Sequence, residues 1–214
     1  MVAMLCDHIG RMLFPQILIL QIIGRISFPI FAYMIAEGCR HTKNRGRYLL
    51  LISVLAFSCQ AVFYIFSGSL YMNILITFVL SITTIFCWDN FWGKRDILSG
   101  SLLVLHIVVL LFVCVILPIL LTGTDYWIDY GVFGVLLTVA IYYAPKKLFK
   151  ILLSLPLLIA ITFYSDPIQW FSLLSLPLLL LYNGERGKHN IKWLFYIFYP
   201  VHLPAIQLID WLIF

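Results

Sequence analysis

The sequence predicts an all-α membrane protein: a polytopic bundle of about nine transmembrane helices, with its N-terminus in the cytoplasm and its C-terminus outside. Three observations carry that prediction. Of 214 residues, 63% are hydrophobic and 11% are charged, against roughly 25% charged in a soluble domain, so most of the chain has to face lipid. The apolar residues run continuously instead of alternating. Where no water reaches the backbone, only helices or a closed barrel satisfy its N–H and C=O groups, and continuous runs exclude the barrel. Finally, the basic residues fall almost entirely into alternate connections.

Taken in order, the first segment, Met1 to Phe14, is short. It has neither a basic start nor a small-residue cleavage site, so it is expected to remain as a helix and not to be removed as a signal peptide. The second, Gln16 to Cys39, runs into the basic tract Arg40, Lys43, Arg45 and Arg47. Tyr48 to Phe66 and Tyr71 to Trp88 are joined by Ser67 to Leu70, which holds no basic residue, and Lys94 and Arg95 follow. Ile97 to Thr122 and a shorter Tyr130 to Ala144 are joined by Gly123 to Asp129, again without a cation; Lys146, Lys147 and Lys150 come next. Leu148 to Tyr164 and Pro167 to Tyr182 are split only by Ser165 and Asp166. Arg186, Lys188 and Lys192 then precede the last segment, Trp193 to Ile213.

About 20 residues is the usual span, fewer where a helix is buried among others. Of the 14 Lys and Arg residues, all but Arg11 and Arg25 lie on one side, which the positive-inside rule makes cytoplasmic. An odd number of spans follows, and nine satisfies it. No linker or low-complexity tract interrupts residues 1–214, which read as a single integral-membrane domain.

Cys6, Cys39, Cys59, Cys87 and Cys114 are odd in number, scattered and never arranged as CxxC, so they read as packing residues. The net charge of +5 would point to nucleic acid in a soluble chain. Here its placement answers to the bilayer, and no nucleic-acid partner is expected. No HExxH, GxSxG or phosphate loop occurs, which argues against metal and P-loop chemistry.

An ionisable side chain inside a span is expensive unless paired or wetted, so each is a candidate for function: Asp7, His8, Arg11, Arg25, Glu37, His106 and His202. A hairpin turning near Pro15 brings Asp7 level with Gly24 and Arg25. That predicts an Asp7–Arg25 ion pair, with Gly24 permitting close approach. Asp7 also reaches Arg11 at i+4, and a purely structural Asp7/Arg11/Arg25 cluster stays an alternative. His8 points about 100° away from Asp7 and needs another partner.

Glu37 stands four residues before His41, where a surface pair explains it as well as a site does. His106, in a run of Leu, Ile and Val, reads as a hydrogen-bonded core histidine. Tyr199, Pro200 and Pro204 surround His202. Proline opens a helix locally, so this segment reads either as a pocket wall or as a kink with a packed histidine. Arg40, Lys43, Arg45, Arg47, Arg186, Lys188 and Lys192 form a basic rim able to hold an anionic ligand, although topology alone puts cations there.

Several segments together resemble one family. Asp7-His8-Ile9-Gly10, Gly24-Arg25-Ile26-Ser27-Phe28-Pro29-Ile30-Phe31, Glu37-Gly38 and His41-Thr42-Lys43-Asn44 open the series. Asn73 with Thr77-Phe78, Asp129-Tyr130-Gly131 with Gly134, Tyr182-Asn183-Gly184-Glu185-Arg186-Gly187 and Tyr199-Pro200-Val201-His202-Leu203 continue it. Their order and spacing are similar to the TraX family, named for a conjugative-plasmid protein that acetylates pilin; Leu51 departs from the pattern, standing where a basic residue is expected. The resemblance implies an acetyl-CoA-dependent acyltransferase of the bacterial inner membrane. Its acceptor would be a pilin-like protein or a glycan, modified at an extracytoplasmic or membrane-associated amine or hydroxyl.

In that expectation acetyl-CoA is the cosubstrate, its phosphates held by Arg40, Lys43, Arg45, Arg186 and Lys188. His8, and after it His202, is the candidate general base. Arg25 and Asp7 position groups or stabilise developing charge, and Glu37 or Tyr199 orients a histidine or the acceptor. Two other classes stay open. Intramembrane Asp, Glu and His also build proton relays in small transporters, although no internal repeat of the transporter kind is found. A scaffold without chemistry is the third.

Overall fold

The structure is a computed structural model that describes residues 1–183 and 192–213. Among them the regular structure is helical, apart from one isolated pairing of Met72 with Ile128. Val2–Met12 (α1) packs antiparallel along Leu18–Arg25 (α2), which continues into Ser27–His41 (α3). The break between α2 and α3 has a local cause. Pro29 has no N–H to give to the Arg25 carbonyl, and its ring crowds that same carbonyl. Ile26 stays in the helical region at φ −67° and ψ −24°, and the Ser27 hydroxyl donates to the Gly24 carbonyl at 2.6 Å. Leu18–His41 is therefore one 24-residue apolar run whose backbone is loosened beside Arg25.

Arg45–Ser67 (α4) and Ile74–Lys94 (α5) begin at asparagines. The Asn44 and Asn73 side chains accept from the backbone N–H groups of Arg47 and Leu75 at 2.8 and 2.9 Å, satisfying donors the helix leaves open. Gly68, at φ 66°, ends α4 in a left-handed cap. Ile97–Leu111 (α6) passes through a π turn at Phe112–Ile116 into Leu117–Leu120 (α7). Pro118 cannot donate back to Cys114, and the widened turn absorbs the lost bond; the Tyr126 hydroxyl donates to the Val113 carbonyl there at 3.2 Å.

Gly131–Tyr143 (α8) starts from two left-handed residues, Tyr130 at φ 61° and Gly131 at φ 50°. Lys147–Phe163 (α9) carries Pro156. Pro167–Leu174 is a 3₁₀ helix leading into Ser175–Leu181 (α10), and Lys192–Ile213 (α11) carries Pro200 and Pro204.

Each of the nine expected segments is thus helical among the described residues. Four are long and apolar enough to cross a membrane: Leu18–His41, Arg45–Ser67, Ile74–Lys94 and Ile97–Leu120. The expectation of nine full spans is narrower in the structure. With 11 residues, α1 rises only about 16 Å, half the roughly 30 Å hydrocarbon layer. Gly131–Tyr143 and Pro167–Leu181 are shorter apolar helices.

Hydrogen bonds sort the helix ends into two groups. At the basic end Asp89 of α5 accepts from Arg45 (2.7 Å), Tyr142 (2.8 Å) and Tyr143 (2.7 Å), Arg40 donates to the Tyr142 carbonyl, and Lys147 donates to the Tyr182 carbonyl. At the opposite end Leu70 N donates to Asp125 (3.0 Å), Tyr71 donates its hydroxyl to Asp129 (2.8 Å), and Thr77 donates to the Asp129 carbonyl (2.5 Å). Between them α3, α5 and α8 form the centre, where Phe28, Ala32, Ile82, Ile85, Leu137 and Ile141 are buried. α4 and α6 turn Leu50, Val54, Phe57, Val104 and Leu105 outward. Helices apolar on every side suit a chain dissolved in lipid.

Candidate active site

The site begins at the α1–α2 hairpin. A side chain at position 24 would overlap the Asp7 Cβ, so glycine is what lets the two helices close. Asp7 accepts from Arg25 Nη2 and lies 3.5 Å from Arg11 Nε. The ion pair expected from the hairpin register is therefore present, and it has a further member that sequence reasoning missed: Arg25 Nη1 donates to Gln169 Oε1 at 3.1 Å. Arg25 and Asp7 are buried, whereas nearly half of the Arg11 side chain is exposed.

His8, on the neighbouring face of α1, finds its partner at the far end of the sequence. Its ring stands 5.1 Å from that of His202, because α11 packs against both α1 and α4. His202 is 4% exposed, stacks on Phe198 at 4.9 Å and meets the edge of Tyr199 at 5.5 Å. Its Nδ1 lies 3.0 Å from the Phe198 carbonyl. A carbonyl only accepts, so Nδ1 holds the proton and the neutral ring presents a lone pair at Nε2. That Nε2 is buried without a hydrogen-bond partner among the described residues. It is the arrangement a proton acceptor requires.

Asp129, at the α8 entrance, completes the opposite-end group. Burial pushes its carboxyl up to about 6, against the Tyr71 hydrogen bond and the charges of Arg25 and Arg11, which lower it. Tyr130 beside it stacks on Phe28 at 3.6 Å. A cavity of about 540 Å³ reaches Tyr130 from the side of α7 and α9, lined by Cys114, Pro118, Trp127, Phe133 and Tyr164 among others. Neither His8 nor His202 lines it, and neither does Asp7 or Arg25.

A second polar region sits at the basic end. Tyr33, Glu37, Arg40, Lys147, Lys150 and Tyr182 line a cavity of about 340 Å³. Lys150 is 6% exposed; its Nζ lies 2.6 Å from Glu37, 3.2 Å from the Tyr33 hydroxyl and 4.6 Å from the Tyr33 ring centre. Glu37 also pairs with Arg40 at 3.1 Å and His41 at 3.3 Å. The Glu37–His41 pair is there, joined by the buried lysine. Lys150 was legible only as part of the basic connection, but it shares a stripe with Ser154, Leu158 and Ile161, all buried on α9, and that spacing was the available signal.

Arg40 enters the cavity, Arg45 turns away to Asp89, and Lys43 lies on the exposed connection between α3 and α4. Arg186 and Lys188 lie outside the described residues. His106 meets the Thr84 hydroxyl at 2.9 Å, so it is hydrogen-bonded as expected, but it is half-buried and not in the core.

A chain helical throughout the regular structure of its described residues, with long apolar helices around a buried carboxylate–guanidinium pair and two facing histidines, is a membrane protein with a candidate acid–base site. It matches the TraX protein family over residues 1–210, nearly its whole length, and belongs to that family. No curated protein and no solved structure matches it.

Proposed function

We propose that the protein transfers an acetyl group from acetyl-CoA to an amine or hydroxyl of an extracytoplasmic or membrane-associated acceptor, of pilin-like or glycan chemistry, in the bacterial inner membrane. The observation that carries this reading is His202, with an unpartnered Nε2, facing His8 beside the Asp7–Arg25 pair. An amine or hydroxyl must lose a proton as it attacks a thioester, and a neutral imidazole with a free lone pair takes it. The His202 geometry makes it the stronger base candidate, with His8 as its neighbour in the proton path. Arg25 offers positive charge where the carbonyl oxygen becomes negative. Tyr199 shapes the ring's surroundings.

By the positive-inside rule the basic end faces the cytoplasm, which puts the C-terminus outside. The anionic end of acetyl-CoA then meets Arg40, Lys147 and Lys150 in the basic-end cavity. From Glu37 back to Ser27, α3 rises about 15 Å, of the same order as an extended pantetheine arm, so the thioester comes within reach of Arg25. Membranes holding the parent protein, incubated with acetyl-labelled acetyl-CoA and acceptor, should yield labelled acceptor. His202→Ala should lower transfer by about a hundredfold to ten-thousandfold while acetyl-CoA still raises thermal stability. Unlabelled acceptor in the parent reaction would end the reading.

A further inference from the structure

Pro167–Leu174 carries the one long 3₁₀ segment among the described residues. Runs beyond three or four residues are uncommon in that geometry. Residues three apart eclipse one another in it, so Gln169 and Ser172 share an edge, about 6 Å apart along the axis. Both are buried, Gln169 at 1% and Ser172 at 0% exposure, and α2 packs on this segment.

The donors on this edge lack acceptors. Gln169 Oε1 accepts from Arg25, which fixes the amide orientation and makes Nε2 the donor. Gln169 Nε2, Arg25 Nε and Ser172 Oγ are all buried without a hydrogen-bond partner among the described residues. The contrast within this chain is informative. Buried Ser81, Ser99, Ser154 and Ser175 each donate to a carbonyl three or four residues back, as helical serines do, and Ser172 does not. Unmade bonds of this kind are rare in folded proteins; two on one 3₁₀ edge, tied to Arg25 through the Gln169 carbonyl, describe a place prepared for an oxygen that the protein itself does not supply.

We propose that Gln169 Nε2 and Ser172 Oγ, on one edge and with the Arg25 charge beside them, receive the thioester carbonyl oxygen of acetyl-CoA and hold the oxyanion formed on attack. This rests on the acetyl-transfer reading. The acceptor nitrogen or oxygen bonds to the carbonyl carbon, the C=O π pair moves onto oxygen, and the donors stabilise it. The nucleophile's proton passes to the histidine pair. As the C=O re-forms, the C–S bond breaks, the thiolate takes that proton, and free CoA and acetylated acceptor leave. Gln169 is then a catalytic residue, since its N–H touches the reacting oxygen.

Gln169→Glu separates this role from a structural one, because the carboxylate still accepts from Arg25 but has no N–H to offer. We expect Gln169→Glu and the uncharged Gln169→Met both to lower kcat by about a hundredfold to a thousandfold, with KM for acetyl-CoA little changed. A Gln169→Glu protein that transfers at the parent rate overturns the proposal, and so does loss confined to Gln169→Met, which would make Gln169 only the holder of Arg25. A measurement on the parent protein covers the case in which a variant does not fold. Acetyl-CoA carrying a ¹³C carbonyl, bound without acceptor, should show its carbonyl stretch at lower frequency than free acetyl-CoA; an unshifted band overturns the proposal. A parent protein that transfers label with an unshifted band refutes the donor site alone, whereas no transfer at all refutes the acetyltransferase reading beneath it.

Discussion

Arg25 is an arginine in an apolar helix, and its surroundings decide what it tolerates. Its Asp7 partner is buried with it, while Arg11 reaches the same carboxylate from a side chain 44% exposed. Removing one member of a buried pair leaves the other uncompensated, a loss of about 3–5 kcal/mol, and exposed pairs contribute about 0–1 kcal/mol. Arg25→Leu should therefore lower thermal stability far more than Arg11→Leu. Asp7→Asn should recover part of the loss; a double variant no better than Arg25→Leu would assign Arg25 a role beyond matching Asp7. The pair was legible because an unmatched charge in a span demands a partner. Gln169 was not, since a neutral amide among apolar residues raises no such demand. Asp129 offers a test outside the spans. Its carboxyl is raised to about 6, so the folded state holds a proton there that the unfolded chain has released. That contribution to stability is complete below the ordinary carboxyl range, near 4, and is lost as pH rises toward 6. Compared with the parent, Asp129→Asn should keep its melting temperature more constant between pH 4 and pH 6.5; parallel curves would mean the group is solvated.

At the level of elements, glycine and proline set the geometry that brings the site together. Gly24 and Gly38 both lie where an added methyl would collide with a neighbour, but the neighbours differ. At Gly24 the obstacle is the Asp7 Cβ, fixed to the α1 backbone, whereas at Gly38 it is the far end of the Tyr48 side chain. Tyr48 can swing away and Asp7 cannot without moving α1. Gly24→Ala should accordingly destabilise by about 1–3 kcal/mol and part Asp7 from Arg25, and Gly38→Ala should have a much smaller effect on melting. Equal effects would mean α1 is only loosely held. Helix boundaries were readable from the sequence because apolar runs stop at polar or basic connections. Helix interruptions were harder. Pro29 marks the α2–α3 break and Pro118 the π turn, each displaced toward the N-terminus by the hydrogen bond that proline cannot make. The 3₁₀ stretch before α10 obeys the same rule, since Pro177 cannot donate to the Leu173 carbonyl, but a proline does not say which helix type forms upstream of it, and Pro167 to Tyr182 read as one ordinary helix.

Across the whole molecule, the two polar regions lie at different depths, and the reading as a transferase depends on which end faces which compartment. Asp89 gathers Arg45, Tyr142 and Tyr143 at one end, while Asp125 and Asp129 tie the connections at the other. The basic end also holds Lys150, and the positive-inside rule accounts for cations in connections but not for a lysine buried on an α9 face and paired with Glu37. Single-cysteine tagging at Lys43, Lys94 and Lys147, in a background with the native cysteines replaced, should place these positions in the cytoplasm. Tags at Ser67, Thr124 and Asp166 should label from outside. The short α1 makes no difference to this pattern, because the hairpin returns its partner helix to the same basic end. Should the labels invert as a set, the basic-end cavity would face away from cytoplasmic acetyl-CoA and the transferase reading would lose its cosubstrate route. A proton-relay protein using Asp7, His8 and His202 would then be the better account, and it predicts that acetyl-CoA leaves the melting temperature of the purified protein unchanged.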